Sequence, residues 1–494
     1  MSLSFDPKQK LESWVALLIL SLSSLAVIWV GINIWQHQNL NDDSFITLTY
    51  AKNLAAGRGF VYNHGPATLG TTTPFFTFVV ALMAIILPVL SIAQHAILLS
   101  IICWIGAGWL LYAIFRQQTI SPLAAALAAS IPLLTSNFWV GLVGMEIWLF
   151  QCLLTLSIYF TLKHKDVYAG ACIAALFLTR GEGALVGLIL GIYLWYRSGK
   201  LPVAFSVTAG SLVLTWIFYA LMTFGTFIPN TLRAKQVQAQ LPNGRDFFDR
   251  IAFDLVPQYL GLFNLFERWT LNPMILLIGI GLIYIGLKKQ RLLLFIAWLI
   301  AYVGGYTLLN PSPYFWYVLH IVFIFLVLAG LGLASLVMQF QAWFPKSRSF
   351  IVASIILVLF GTMLYFSQDL LRHRLPLYTG YERGEDYRAI TTWLREHTQP
   401  EESIAFMEIG YLGYFTENRI IDLAGLIDPT ITDHVLDEGF TWGFYHYQPD
   451  YYLYADEFDW AMADLAPPLD GYILVHQLER KSQPTPLYVY KRIE

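Results

Sequence analysis

Long apolar runs dominate the chain up to residue 369, and shorter, mixed patterns follow. The runs fall at 14–35, 72–90, 93–115, 120–138, 147–162, 167–179, 182–196, 202–222, 272–287, 292–309, 314–338 and 349–367. A helix needs about 20 apolar residues to cross a bilayer, so these runs predict membrane helices. The pair 167–179 and 182–196 is short and interrupted by Thr179-Arg180-Gly181-Glu182-Gly183. Beyond Asp369, residues 385–396 place Tyr387, Ile390, Trp393 and Leu394 at helical spacing. Residues 403–407, 420–423, 472–475 and 487–490 read as strands. Helix alternating with strand predicts a small α/β domain.

Composition agrees with the pattern. Of 494 residues, 57 % are apolar and 13 % charged, about half the ~25 % of a soluble domain; mean hydropathy is +0.56. A disordered chain, a disulfide scaffold and an ordinary cytosolic enzyme are excluded. The net charge of −3 conceals a partition. Residues 370–494 hold 21 acidic and 10 basic side chains, a net of −11, and residues 1–369 stand at +8. A basic membrane domain (1–369) therefore precedes a soluble acidic one (370–494), and the acidic charge disfavours nucleic acid as a partner. Cys103, Cys152 and Cys172 lie inside apolar runs and read as buried hydrophobes. The first run is too long for a signal-peptide core and reads as an anchoring helix.

The scarce cations set the threading. Lys8/Lys10, Arg116, Lys163/Lys165, Arg197/Lys200, Lys288/Lys289/Arg291 and Lys346/Arg348 mark short loops. All face the cytoplasm only if 72–90, which starts at Thr71-Thr72-Thr73-Pro74 and contains Pro88, does not cross. The expectation is about 11 transmembrane helices in a plasma (inner) membrane, with the amino terminus cytoplasmic. Loops 36–71 and 223–271, the turn 139–146, the Arg180–Glu182 break and the C-terminal domain then share the extracytoplasmic side.

Chemistry-bearing residues collect on that side. Asp42 and Asp43 open a short amphipathic helix in the first loop, where the helix dipole favours acids. Adjacent carboxylates at a membrane edge also suit a general base or a metal. Glu146 opens the run 147–162, and Arg180 and Glu182 break a hydrophobic segment, where a pair between the two is the plainer reading. Pro229-Asn230-Thr231 starts a helix that carries Arg233 and Lys235, an arrangement suited to a phosphate or simply to a solvated helix start. His64 sits in the first loop, and His320 in an apolar run reads as an interior histidine or a polar contact. Trp442, Tyr445, Tyr447, Tyr451, Tyr452 and Tyr454 suit either sugar stacking or an aromatic core.

Several of these stretches resemble one known group. The run Asp42-Asp43-Ser44-Phe45-Ile46 through Ala51-Lys52-Asn53-Leu54-Ala55-Ala56-Gly57-Arg58-Gly59 resembles the first outer loop of bacterial GT-C glycosyltransferases. Gly70-Thr71-Thr72-Thr73-Pro74, Gly144-Met145-Glu146, Leu178-Thr179-Arg180-Gly181-Glu182-Gly183 and Pro229-Asn230-Thr231-Leu232-Arg233-Ala234-Lys235 resemble later landmarks. Ile421-Asp422-Leu423-Ala424-Gly425-Leu426-Ile427-Asp428-Pro429 is similar to an element of their outer domain. The likeness is nearest the arabinofuranosyltransferase- and mannosyltransferase-like branch. Gly181 departs from it, where Pro is the usual residue. The resemblance implies a GT-C fold and a polyprenyl-phosphate-linked hexosyl or pentosyl donor used in the cell envelope. It implies Asp42 as base, Asp43 as its acidic neighbour and Glu146 as a second acid.

Together these readings give an inverting transfer of sugar to a hydroxyl of a glycan, lipid or protein. Asp42 and Asp43 form the catalytic pair, and Arg58, Arg180, Arg233 and Lys235 receive the donor phosphate. Glu146 and Glu182 serve as second acid or acceptor contacts, and His64, Asn230 and His320 as acceptor or sugar contacts. A divalent cation (Mg, Mn or Ca) on Asp43 and Glu146 is left open. A transporter or flippase of lipid-linked sugar is the alternative, favoured if the charges lay at mid-span.

Overall fold

The apolar runs become helices whose ends are set by proline, glycine and capping residues. The computed structural model describes residues 7–38, 40–135, 141–238, 240, 246–260, 273–311, 314–344 and 381–493. The run expected at 349–367 lies outside the described residues. Helix α1 is Pro7–His37, α2 Asp42–Ala55, α3 Pro74–Ile86, α4 Ile92–Gln117 and α5 Pro122–Leu134. Then come α6 Ile147–Leu162, α7 Asp166–Thr179, α8 Gly183–Ser198, α9 Val203–Phe224 and α10 Asn230–Gln238. The bundle continues with α11 Pro273–Lys288, α12 Leu293–Leu309 and α13 Phe315–Trp343.

Among the described residues, five stretches are long and apolar enough to cross a membrane: Lys10–Gln36, Ile92–Gln117, Val203–Phe224, Gln290–Leu309 and Phe315–Trp343. The other described runs form shorter apolar helices. α3 starts on Pro74 at its first position, where a missing N–H costs nothing. Its 13 residues give a rod of about 20 Å, shorter than the ~30 Å hydrocarbon layer. α4 begins with a capping box between Ser91 and Gln94. α13 is the most buried long helix and packs against α5 and α11.

The C-terminal domain is α/β. Helix α14 (Tyr381–His397) buries Tyr387, Ile390 and Leu394. Strands β1 (Ser403–Phe406), β2 (Arg419–Asp422), β3 (Tyr451–Tyr454), β4 (Tyr472–Leu478) and β5 (Leu487–Arg492) form one sheet in the order β2-β1-β3-β5-β4. β1 runs parallel to β2 and β3, and β5 antiparallel to β3 and β4. Helix α15 (Gly410–Phe415) joins β1 to β2, and α16 (Pro429–Glu438) and α17 (Trp442–Tyr447) lie between β2 and β3. Strand β3 is absent from the sequence reading, because Tyr451-Tyr452-Leu453-Tyr454 is buried on both faces and shows no alternation. Of the two readings of these aromatics, Tyr451, Tyr452 and Tyr454 belong to the core.

The domain seats α15 on α2. Phe45 packs against Tyr411, Tyr414 and Phe415, with ring centres 4.4, 4.8 and 5.3 Å away. Asn63 pairs with the backbone of Ile420 in both directions, accepting its N–H at 3.0 Å and donating to its carbonyl at 2.8 Å.

Candidate active site

Where α2, α10 and the α7–α8 break meet, a cavity of about 430 Å³ opens. Its charged lining is Asp43, Glu146, Arg180, Glu182 and Lys235, three acids and two cations. Thr47, Thr71 and Thr73 form a short hydroxyl ladder along one wall, at 3.0 and 3.1 Å. Trp216, Phe227, Leu232 and Leu309 supply apolar lining.

The two acids that open α2 part company. Consecutive helical positions differ by about 100° in direction, so the carboxylates cannot face the same way. Asp42 turns to the C-terminal domain, where its oxygens accept the N–H groups of Gly410 and Tyr411, each at 2.9 Å. Gly410 is required there, since a Cβ would fall 1.8 Å from the Asp42 carbonyl oxygen. Burial and then the Glu408 carboxylate push Asp42 up to about 8, against the pull of the two amide bonds. Asp43 lines the cavity and Asp42 does not. The placement expected of Asp42 thus belongs to its neighbour.

Arg180 and its acids come from the break between α7 and α8. Gly183 allows the break to be tight, because a Cβ there would lie 2.4 Å from the Phe177 nitrogen. A Cβ on Gly181 would meet nothing within 4 Å. Arg180 Nη1 donates to Glu146 at 2.6 Å, and its Nε and Nη2 donate to one Glu182 oxygen at 3.0 and 2.7 Å. The Tyr306 hydroxyl donates to the same oxygen, and the guanidinium lies 5.3 Å from the Tyr317 ring centre. Two carboxylates therefore clamp Arg180, and both the internal pairing with Glu182 and the meeting with Glu146 are present.

Lys235 stands differently. Its ammonium sits 4.9 and 4.6 Å from the ring centres of Tyr314 and Trp316, which stack on each other at 4.4 Å. Burial acts to lower its pKa and is the largest single influence, but Asp43 together with the Tyr317 and Tyr314 hydroxyls outweighs it and the net shift is upward. Lys235 is thus a protonated, aromatic-seated cation that feels Asp43.

The remaining expected residues lie elsewhere. Arg233 pairs with Asp433 on α16, at the surface. Arg58 bonds Asn53 at 3.3 Å and Glu417 at 3.0 Å, and His64 Nε2 is 3.9 Å from Glu417. Asn230 donates to the Gly425 carbonyl at 2.7 Å and to Thr432 Oγ1 at 3.0 Å. His320 is buried, with Nδ1 2.7 Å from Gln151 Nε2 and its ring against Phe150. None of these four, nor Arg233, lines the cavity.

Sequence reasoning missed Tyr302, Tyr306, Trp316 and Tyr317, which line the cavity. Tyr302 and Tyr306 are four apart on α12, a polar-tipped stripe on an apolar helix that was the available signal. It also missed Glu408, which Arg383 holds at 2.6 Å and to which the Tyr387 hydroxyl donates. Burial pushes Glu408 up, with Arg383 and the Tyr387 bond opposing.

The donor set does not fit a divalent ion. Glu146 and Glu182 are committed to Arg180. Among the described residues no group of three or more His, Cys, Asp or Glu side chains is gathered to hold one. No step below runs through a metal.

The fold is a bundle of apolar helices, several of them long enough to cross a membrane, with a C-terminal α/β domain. Comparison with solved structures gives the same result. Over 97 % of this chain and 98 % of the other, the fold matches ArnT from Cupriavidus metallidurans bound to undecaprenyl phosphate, at 15 % identity and TM-score 0.60. ArnT from the same organism in the apo state matches over 94 % of this chain and 97 % of the other, at 13 % identity and TM-score 0.60. Residues 377–490 match a family described as "Domain of unknown function (DUF8728)". No curated protein matches the sequence.

Proposed function

We propose that this chain is a glycosyltransferase that moves a sugar from a polyprenyl-phosphate donor to an acceptor hydroxyl, with Asp43 as the general base. The observation that carries the reading is a single cavity with a carboxylate and a seated ammonium together, walled on one side by apolar residues. The likeness to ArnT bound to undecaprenyl phosphate supports the donor class.

The chemistry follows from the residues. An acceptor hydroxyl within hydrogen-bond reach of Asp43 gives up its proton to that carboxylate. The acceptor oxygen bonds to the anomeric carbon as the bond from that carbon to the phosphate oxygen breaks. Negative charge grows on the departing polyprenyl phosphate, and Lys235 meets it, with Arg180 behind. Trp216, Phe227, Leu232 and Leu309 offer apolar surface to the first isoprene units. One displacement with one base inverts the anomeric centre. Arg58 and Arg233, engaged with Glu417 and Asp433, take no part.

The positive-inside count supports a site on the extracytoplasmic face of the plasma membrane, with 72–90 not crossing. The donor sugar is a pentose or a hexose, and the arabinofuranosyl- or mannosyl-like branch is part of the proposal on sequence likeness alone. The test is release of polyprenyl phosphate from such donors by the wild type and by Asp43→Asn.

A further inference from the structure

The cavity's two facing charges sit on segments that the C-terminal domain grips from outside. One grip is at α2, where Gly410 and Tyr411 hold Asp42, the residue before Asp43. The other is the loop between β2 and α16. There Asn230, at the start of the helix that carries Lys235, donates to the Gly425 carbonyl and to Thr432 Oγ1. Thr231 donates to the Leu426 carbonyl at 3.3 Å and also bonds the Gly70 carbonyl. Gly70 is the residue before the cavity-lining Thr71, and a Cβ on it would come within 2.8 Å of Ile427. The wall at 70–73 and helix α10 are therefore tied to each other and to one loop.

That loop is braced internally. The buried Asp422 carboxylate accepts the N–H of Ala424 at 3.0 Å and of Ile427 at 2.9 Å. The Thr432 hydroxyl donates to the Gly425 carbonyl at 2.6 Å. A structure made only to attach a domain would have no need to bind the two segments that carry the opposed charges. A loop fixed at three points transmits position, because buried hydrogen-bonded groups have few alternatives.

We infer that the C-terminal domain is a site-forming element: its 408–411 segment and 422–432 loop together set the placement of Asp43 relative to Lys235. Both gripping segments lie inside residues 377–490, the part matched by the domain family of unknown function. The inference rests on the glycosyltransferase reading for its catalytic consequence, while the geometric consequence stands apart from it. Asn230 and Thr432 act as positioning residues, and Thr432 lies outside the cavity lining.

The test uses the full-length protein with Thr432→Val, and Thr432→Ser as the variant that keeps the hydroxyl. Misplacement of reacting groups by about 1 Å costs up to 10²-fold, so kcat of Thr432→Val falls roughly ten- to a hundredfold. Amide exchange rises in 68–74 and 230–238 and stays unchanged in the sheet. Thr432→Ser matches the wild type in both. Wild-type kcat and exchange in Thr432→Val overturn the inference. So does equal loss in both variants, or a rise in exchange that includes the sheet. Failure of the wild type to release polyprenyl phosphate overturns the functional reading instead, and the exchange comparison then still decides the inference.

Discussion

Lys235 and Arg180 both reach the cavity, yet their surroundings differ in kind. Arg180 is neutralised by Glu146 and Glu182, so a phosphate meeting it must share it with two carboxylates. Lys235 rests on two aromatic faces that stabilise its charge and leave its N–H donors free to turn. Lys235→Met is therefore expected to weaken binding of short-chain polyprenyl phosphate by roughly 10²-fold or more, in line with loss of one charge-assisted contact in a dry site. Calorimetric titration of the detergent-purified protein checks it, and unchanged affinity would remove Lys235 from the phosphate site. At this scale the sequence told much about which residues matter and less about where each points. Asp43, Glu146, Arg180, Glu182 and Lys235 were all legible as ionisable groups near membrane edges. The swap between Asp42 and Asp43 was not, because it depends on the N–H groups of Gly410 and Tyr411, more than 360 residues away.

Helices carry the next level of the account. The apolar runs mark α1, α4, α9 and α13 well, since length and composition alone decide them. Strand β3 escaped because a strand covered on both faces has no period to read. Helix α10 was legible from Pro229-Asn230-Thr231, although Asn230 serves the β2–α16 loop and not a ligand. α3 is the element on which the threading turns. On the positive-inside count, it is expected to enter and leave on one side. Single cysteines placed at 80–88 in a cysteine-free background should then be closed to an impermeant thiol reagent applied from the cytoplasmic side. Ready labelling from that side would make α3 a crossing helix and would reverse the side of every segment after it.

The whole molecule joins a +8 membrane portion to a −11 domain, and the joint is rich in carboxylates. Asp42 is pushed up to about 8 by burial and by Glu408, and Asp422 to about 7 by burial against the amide bonds of Ile427 and Ala424. A carboxyl whose folded pKa is raised binds its proton more tightly in the folded state. Its contribution is complete below the ordinary value of 3.8 and is lost as pH rises through about 8 for Asp42. Thermal stability in detergent should accordingly fall between about pH 5 and pH 8.5. Asp42→Asn should flatten part of that slope, with Asp422 and Glu408 supplying the rest. A slope identical in the wild type and in Asp42→Asn would show that Asp42 does not titrate in this interval. Nothing in the sequence announced this joint, since its acids lie in separate segments that only the docked domain brings together.

The central claim is that Asp43 acts as a base in transfer from a lipid-linked sugar. The most direct measurement is release of polyprenyl phosphate from short-chain polyprenyl-phosphopentose and polyprenyl-phosphohexose donors, compared between purified wild type and Asp43→Asn. The account predicts release by the wild type with at least one donor. It predicts a loss of about 10²- to 10⁴-fold in Asp43→Asn, the usual worth of a general base, with donor binding retained. Equal release by Asp43→Asn, or no release from any donor by a wild type that binds them, would contradict it.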